Sequence, residues 1–165
     1  MPSGAEWRGL YPASAGVVLA SDLVSKALAE RALDSHTVVP VLGDVLRFHL
    51  VYNTGAAFGL DFGVYSRWIL LATALLALVF LTQMAWSASP LDRFRLLALG
   101  LVAGGATGNL LDRIRSSQGV VDFVDLGFGA TRFPTFNVAD IGVSAGAVLL
   151  AVSFWLADSR ARAEA

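Results

Sequence analysis

The chain has 165 residues, of which 56% are hydrophobic and only 15% charged, and its mean hydropathy is +0.65. A soluble domain carries about 25% charge, so this apolar excess, gathered into long runs, indicates a membrane protein. The net charge of −1 gives no footing for nucleic acid, the absence of Cys excludes disulfides, thiolate metal sites and a Cys nucleophile, and two His (His36 and His49) are too few for a His-built zinc site.

Four apolar runs stand out: Leu10–Leu28, Tyr65–Trp86, Phe94–Leu111 and Val138–Ala157. Each is near the ~20 residues a helix needs to cross ~30 Å of hydrocarbon. In the second run Trp68 and Trp86 bracket the apolar stretch like interfacial anchors, about 27 Å apart at 1.5 Å per residue. The expected fold is a single all-α membrane domain, a four-helix transmembrane bundle with a small extracytoplasmic β element at about residues 37–63. An even number of spans puts both termini on one side. Arg8, Arg93, Arg95, Arg160 and Arg162 lie in short flanks on that side, which the positive-inside rule makes cytoplasmic. Ala27-Leu28-Ala29 has the form of a signal-peptide cleavage site, but Asp22 and Lys26 interrupt the apolar region before it, so retention of the first span is expected.

Asp22 and Lys26, the only Lys, lie four apart on one face of the first span. They read first as a self-neutralising structural pair near the outer membrane surface, with direct catalysis the alternative. Beyond them, Val38–Leu42 and Val45–Tyr52 flank Gly43-Asp44, a hairpin pattern. Leu46, Phe48, Leu50 and Tyr52 alternate with Val45, Arg47, His49 and Val51, so the second strand has an apolar and a wet side, and His49 falls on the wet one. Asn53-Thr54-Gly55-Ala56-Ala57-Phe58-Gly59 follows. It is either a loop leading into the second span or a substrate lid with Phe58 at its tip.

In the third run Gly100, Gly104 and Gly108 recur at four-residue spacing, and Gly142 and Gly146 do so in the fourth. Such spacing lets helices approach closely, and packing within the bundle is favoured over a dimer face. The third run ends on Asn109, Asp112 and Arg113, an amide and a charge pair at the rim, where Arg113 can hold a carbonyl or a carboxylate. Asp122 and Asp125, three apart, point to opposite faces if their segment is extended and to nearly the same face if it is helical. Asn137 is a good N-cap for the last run and puts Asp140 at N3, although a short Asp is expected to close a capping box poorly.

Asp122 and Asp140 fall on one side of the membrane, at about the depth of the helix ends. Two carboxylates brought together near an apolar surface share a proton, so one serves as base and the other as acid. The base activates a water for attack on a peptide carbonyl, and the acid stabilises the developing oxyanion and can then pass a proton to the leaving amine. The helix N-terminus favours negative charge at Asp140, which leaves the proton on Asp122. The acids cluster at one rim, which speaks against a transporter or a non-enzymatic scaffold, and the shortage of His and Cys speaks against a metalloprotease.

The blocks Asp22-x-x-x-Lys26, Asn53-Thr54-Gly55-Ala56-Ala57-Phe58, Gly108-Asn109-x-x-Asp112-Arg113, Val121-Asp122-Phe123 and Phe133-Pro134-x-Phe136-Asn137-x-Ala139-Asp140, in that order, resemble those of bacterial lipoprotein signal peptidase. The resemblance implies four spans, an extracytoplasmic β element and a short periplasmic helix, in the bacterial inner membrane. It implies removal of the signal peptide from prolipoproteins, just before a Cys carrying diacylglycerol. Asp122 and Asp140 match the catalytic pair, and Asn53, Gly55, Asn109, Asp112, Arg113 and Asn137 match residues lining or supporting the site. The Phe58 loop would cover it, lipid tails would enter from the bilayer, globomycin would inhibit, and neither metal nor other cofactor is implied. The working unit is expected to be a monomer.

Overall fold

The computed structural model describes residues 9–55, 63–89 and 91–163; Phe58, expected at the tip of a lid, lies outside them. Four long helices follow the four apolar runs: α1 (Leu10–Ala32), α2 (Ser66–Ser87), α3 (Arg93–Arg115) and α4 (Val138–Ala163). Three of them, α2 with its leading turn, α3 and α4, are long and apolar enough to cross a membrane among the described residues. In α1 the polar pair Asp22 and Lys26 lowers the hydropathy, and both residues are buried.

Helix α3 is the centre of the bundle and packs on the other three. Its glycines make this possible. A Cβ on Gly100 would strike the Tyr11 carbonyl and Ser14 of α1, and one on Gly105 would strike the Ala139 carbonyl of α4. Gly142 and Gly146 on α4 likewise face Val18 and Val102. The small-residue rows therefore pack within the bundle.

The β element is larger than the expected hairpin. Strands β1 (Val38–Leu42), β2 (Leu46–Asn53), β3 (Val120–Phe128) and β4 (Thr131–Arg132) form one antiparallel sheet in that order. The first turn takes three residues instead of the expected two, because Leu42 pairs with Leu46 and the Val45 amide bonds the Leu42 carbonyl. Gly43 accepts the left-handed conformation there (φ 54°). Leu50, Val121 and Phe123 form a small core with Ala29 at the end of α1, against which Phe48 and Tyr52 pack. This core seats the sheet on the helix ends and confirms the apolar side read from β2.

Segment 120–126 is extended. Beyond its pairing with β2, the Phe123 and Val124 amides both donate to the Phe136 carbonyl, and the Phe136 amide returns a bond to the Val124 carbonyl. Strand β3 is thus zipped to the approach to α4. That pairing carries the start of α4, with Asn137 and Asp140, to the side of Asp122.

Candidate active site

Extended backbone sends Asp122 and Asp125 to opposite faces of β3. Asp122 turns inward and is 2% exposed. Its Oδ2 accepts from Asn53 Nδ2 at 3.0 Å, and its Oδ1 accepts from Asn137 Nδ2 at 2.6 Å. Asn53 reaches it because β2 and β3 pair Val51 with Asp122.

Asp140 is held from the same residue. The Asn137 amide donates to Asp140 Oδ2 at 3.1 Å, and the Asp140 amide donates to Asn137 Oδ1 at 3.0 Å. This is a closed capping box, in contrast to the expectation that Asp would be too short: the Asn137 amide lies within reach of the Asp140 carboxylate. Asp140 Oδ1 also accepts from Asn109 Nδ2 at 2.8 Å. Asn137, wholly buried, therefore touches both acids, one through its side chain and one through its backbone. Burial, with the charge of Asp140 adding to it, pushes the Asp122 carboxyl up to about 6, against the opposing pull of its Asn53 and Asn137 hydrogen bonds.

The remaining residues singled out from the sequence surround this pair. Asn53 Oδ1 accepts from the Gly55 amide, and Arg113 Nη2 donates to the Gly55 carbonyl at 2.9 Å. Arg113 so takes a carbonyl, one of its two expected partners. Its neighbour Asp112 pairs instead with Lys26 at 2.8 Å, while Lys26 also meets Asp22 at 2.7 Å. The expected i,i+4 pair is therefore a triad, and it sits in the bundle interior.

Sequence reasoning missed two features. Arg67 donates from Nε to the Arg113 carbonyl and from Nη2 to the Ile114 carbonyl, which ties the start of α2 to the C-terminal carbonyls of α3. A charged residue directly beside an interfacial Trp was its signal. The second is the clamp around Asp125, which joins Arg47 at 2.7 Å and Arg132 at 2.8 Å. Its partners stand 78 and 7 residues away, so only the sheet reveals it.

Below Asp140 a groove of about 670 Å³ follows α4 past Ile141, Ser144 and Val148, with Phe133 and Phe136 at its head. Its walls are almost wholly apolar.

Residues 14–156 match a family model described as signal peptidase (SPase) II. The chain belongs to the signal peptidase II family. Members of this family are aspartic peptidases, which gives the two hydrogen-bonded acids their setting. Relatives include the lipoprotein signal peptidase of Treponema denticola, 41% identical over 75% of this chain and 76% of the relative. That of Hydrogenovibrio crunogenus is 42% identical over 85% and 82%. A solved bacterial membrane enzyme superposes with TM-score 0.82 at 26% identity, over 92% of this chain and 91% of that one. The likeness to that membrane enzyme thus extends over nearly the whole chain.

Proposed function

We propose that the chain is an intramembrane aspartic endopeptidase that removes the signal peptide from diacylglyceryl prolipoproteins, cutting just before the lipidated Cys, with Asp122 and Asp140 as the catalytic pair. The observation that carries this is Asn137, which hydrogen-bonds both carboxylates at once. Asp140 accepts donors on both oxygens and serves as base. Asp122, pushed up to about 6 by burial, holds the shared proton. Asp140 takes a proton from water as its oxygen bonds the scissile carbonyl carbon, and Asp122 protonates the carbonyl oxygen. The proton on Asp140 then passes to the amide nitrogen, the C–N bond breaks, Asp122 takes back a proton from one of the two hydroxyls on that carbon, and a carboxylic acid and an amine remain.

In this reading α1 is the fourth span, since it packs on both α3 and α4. The termini are cytoplasmic, and the pair lies near the extracytoplasmic surface of the inner membrane. Asn53, Gly55, Asn109, Asp112, Arg113 and Asn137 support the site. The groove below Asp140 receives an apolar part of the substrate. The glycine rows, filled within one bundle, favour a monomer, and globomycin competes with substrate.

The test is cleavage of a diacylated and a non-acylated prolipoprotein by purified protein, with Asp122→Asn and Asp140→Asn beside the parent and a chelator present in parallel. Cleavage confined to the diacylated substrate, lost in either folded variant and indifferent to the chelator, supports the reading. Equal cutting of both substrates, or full activity in a folded Asp variant, overturns it.

A further inference from the structure

We propose that Lys26 is the positioning residue of the catalytic pair, its one buried ammonium fixing where both carboxylates stand through Asp22, Asp112 and Asn109. The inference rests on the function proposed above. Lys26 Nζ donates to Asn109 Oδ1 at 2.9 Å and forms ion pairs with Asp22 Oδ2 at 2.7 Å and Asp112 Oδ2 at 2.8 Å.

Each acceptor then holds a group at one of the acids. Asp22 Oδ1 accepts from the Ala139 amide at 2.9 Å, and Ala139 directly precedes Asp140. Asp112 Oδ2 accepts from the Val121 amide at 3.3 Å, and Val121 directly precedes Asp122. Asn109 Nδ2 donates to Asp140 Oδ1 at 2.8 Å. Three routes thus leave one nitrogen and end on the two residues that must meet.

The third route also sets an orientation. An ammonium only donates, so together with Asn137 Nδ2, which donates to the same oxygen at 3.1 Å, it draws the Asn109 carbonyl inward and leaves the amide NH2 facing Asp140. With the amide reversed, carbonyl would face carboxylate. The cluster leaves little room for a substitute arrangement. Asp22 is wholly buried and Lys26 is 3% exposed, and a Cβ on Gly108 would strike the Asp22 carboxylate.

The charged groups facing Lys26 and the pair are Asp22 on α1, Asp112 and Arg113 on α3, Asp122 on β3 and Asp140 on α4. Loss of the ammonium removes a cation near Asp122 and leaves the Asn109 donor held by Asn137 alone, and both changes disfavour ionised acid.

The test uses the full chain and a diacylated lipopeptide, with kcat and KM measured from pH 4 to 9 on variants that remain folded by circular dichroism and size exclusion. Lys26→Met is the direct variant. Because it strands two buried acids, Asp22→Asn/Lys26→Met is made beside it; that pair removes one charge of each sign and keeps an acceptor for the Ala139 amide. We expect kcat to fall by about 100-fold, as a small misplacement of reacting groups can cause, with KM within about threefold of the parent. The acidic limb of the pH profile should move up by about one unit. In an Asn109→Ala background the loss from Lys26→Met should shrink, because that route is already cut.

Parental kcat with an unmoved acidic limb in either folded variant overturns the inference, as does the same fold-loss with and without Asn109. Asp122→Asn separates the two failures. Should Asp122→Asn still cleave, the enzymatic reading fails. Should it be dead while the Lys26 variants match the parent, only the positioning role fails.

Discussion

Asp122 and Asp125 stand three residues apart on one strand, both almost wholly buried, and their neighbours make them opposite kinds of carboxylate. Asp122 is met by two amides, Asn53 and Asn137, which satisfy its oxygens without adding charge. Burial therefore prevails, and its carboxyl rises to about 6. Burial would raise Asp125 as well, but the guanidinium groups of Arg132 and Arg47 outweigh it and hold that carboxyl below the usual range. A neutral partner leaves a carboxyl able to carry and release a proton near neutral pH, whereas a cationic partner locks it as an anion. One face of the sheet is equipped for chemistry and the other for holding the two hairpins together.

The sharpest way to break this contrast is to neutralise each acid in turn. Asp122→Asn and Asp140→Asn should each lower kcat/KM on a diacylated substrate by at least about 1000-fold, within the range expected for lost acid–base catalysis. Asp125→Asn should keep kcat/KM within about threefold of the parent once the folded fraction is accounted for. Comparable losses at Asp122 and Asp125 would mean that the two faces do not divide the work in this way.

Much of the inner face could be read from the sequence and almost none of the outer one. Asn53, Asn109, Asn137, Asp122 and Asp140 are polar groups at the ends of apolar runs, where a lone amide or acid is costly and demands a reason. The outer clamp joins Arg47 to a partner 78 residues on, and nothing local marks either residue as paired. Strand β3 was ambiguous for a related cause. Val120-Val121-Asp122-Phe123-Val124 has apolar residues on both faces, so it lacks the two-residue period that betrays a half-exposed strand. Only its pairing with β2 and with Phe136 decides that it is extended. The triad around Lys26 was half visible: the i,i+4 pair lies within one helix, while Asp112 comes from another.

The clamp predicts stability where the inner face predicts activity. Asp125→Ala leaves the partly buried Arg47 and Arg132 with only the exposed Asp44 as a carboxylate partner and should cost about 2 kcal/mol, read as a lower thermal midpoint in detergent. The sign with pH follows from the depressed carboxyl. Its stabilising effect is present above the unfolded value near 4 and fades as pH falls through the folded value. The deficit of Asp125→Ala should thus be full at pH 7 and shrink only below about pH 4. Gly108→Ala should cost about 2 kcal/mol, because the new methyl group meets the Asp22 carboxylate. Gly16→Ala, with open space at its Cβ, should cost nothing. Equal melting of the two glycine variants would argue that the triad gives way easily.

The raised carboxyl of Asp122 acts on stability with the opposite sign. In the unfolded chain Asp122 ionises near the ordinary carboxylate value of 3.8, and in the folded chain at about 6. Its contribution to stability is fully present below the unfolded value and is lost as pH rises through the folded one. The native protein therefore bears a growing ionisation cost between about pH 4 and pH 6, reaching at most about 3 kcal/mol for a shift of some two units. Asp122→Asn removes that cost but also loses an acceptor, because its NH2 must face one of the two amides that Asp122 accepts from. The second effect does not depend on pH, and so the two separate in a titration of the melting midpoint. Relative to the parent, Asp122→Asn should gain about 2 kcal/mol between pH 4 and pH 7, whatever its starting offset. A difference that stays flat across that window would mean that Asp122 ionises like an ordinary carboxylate.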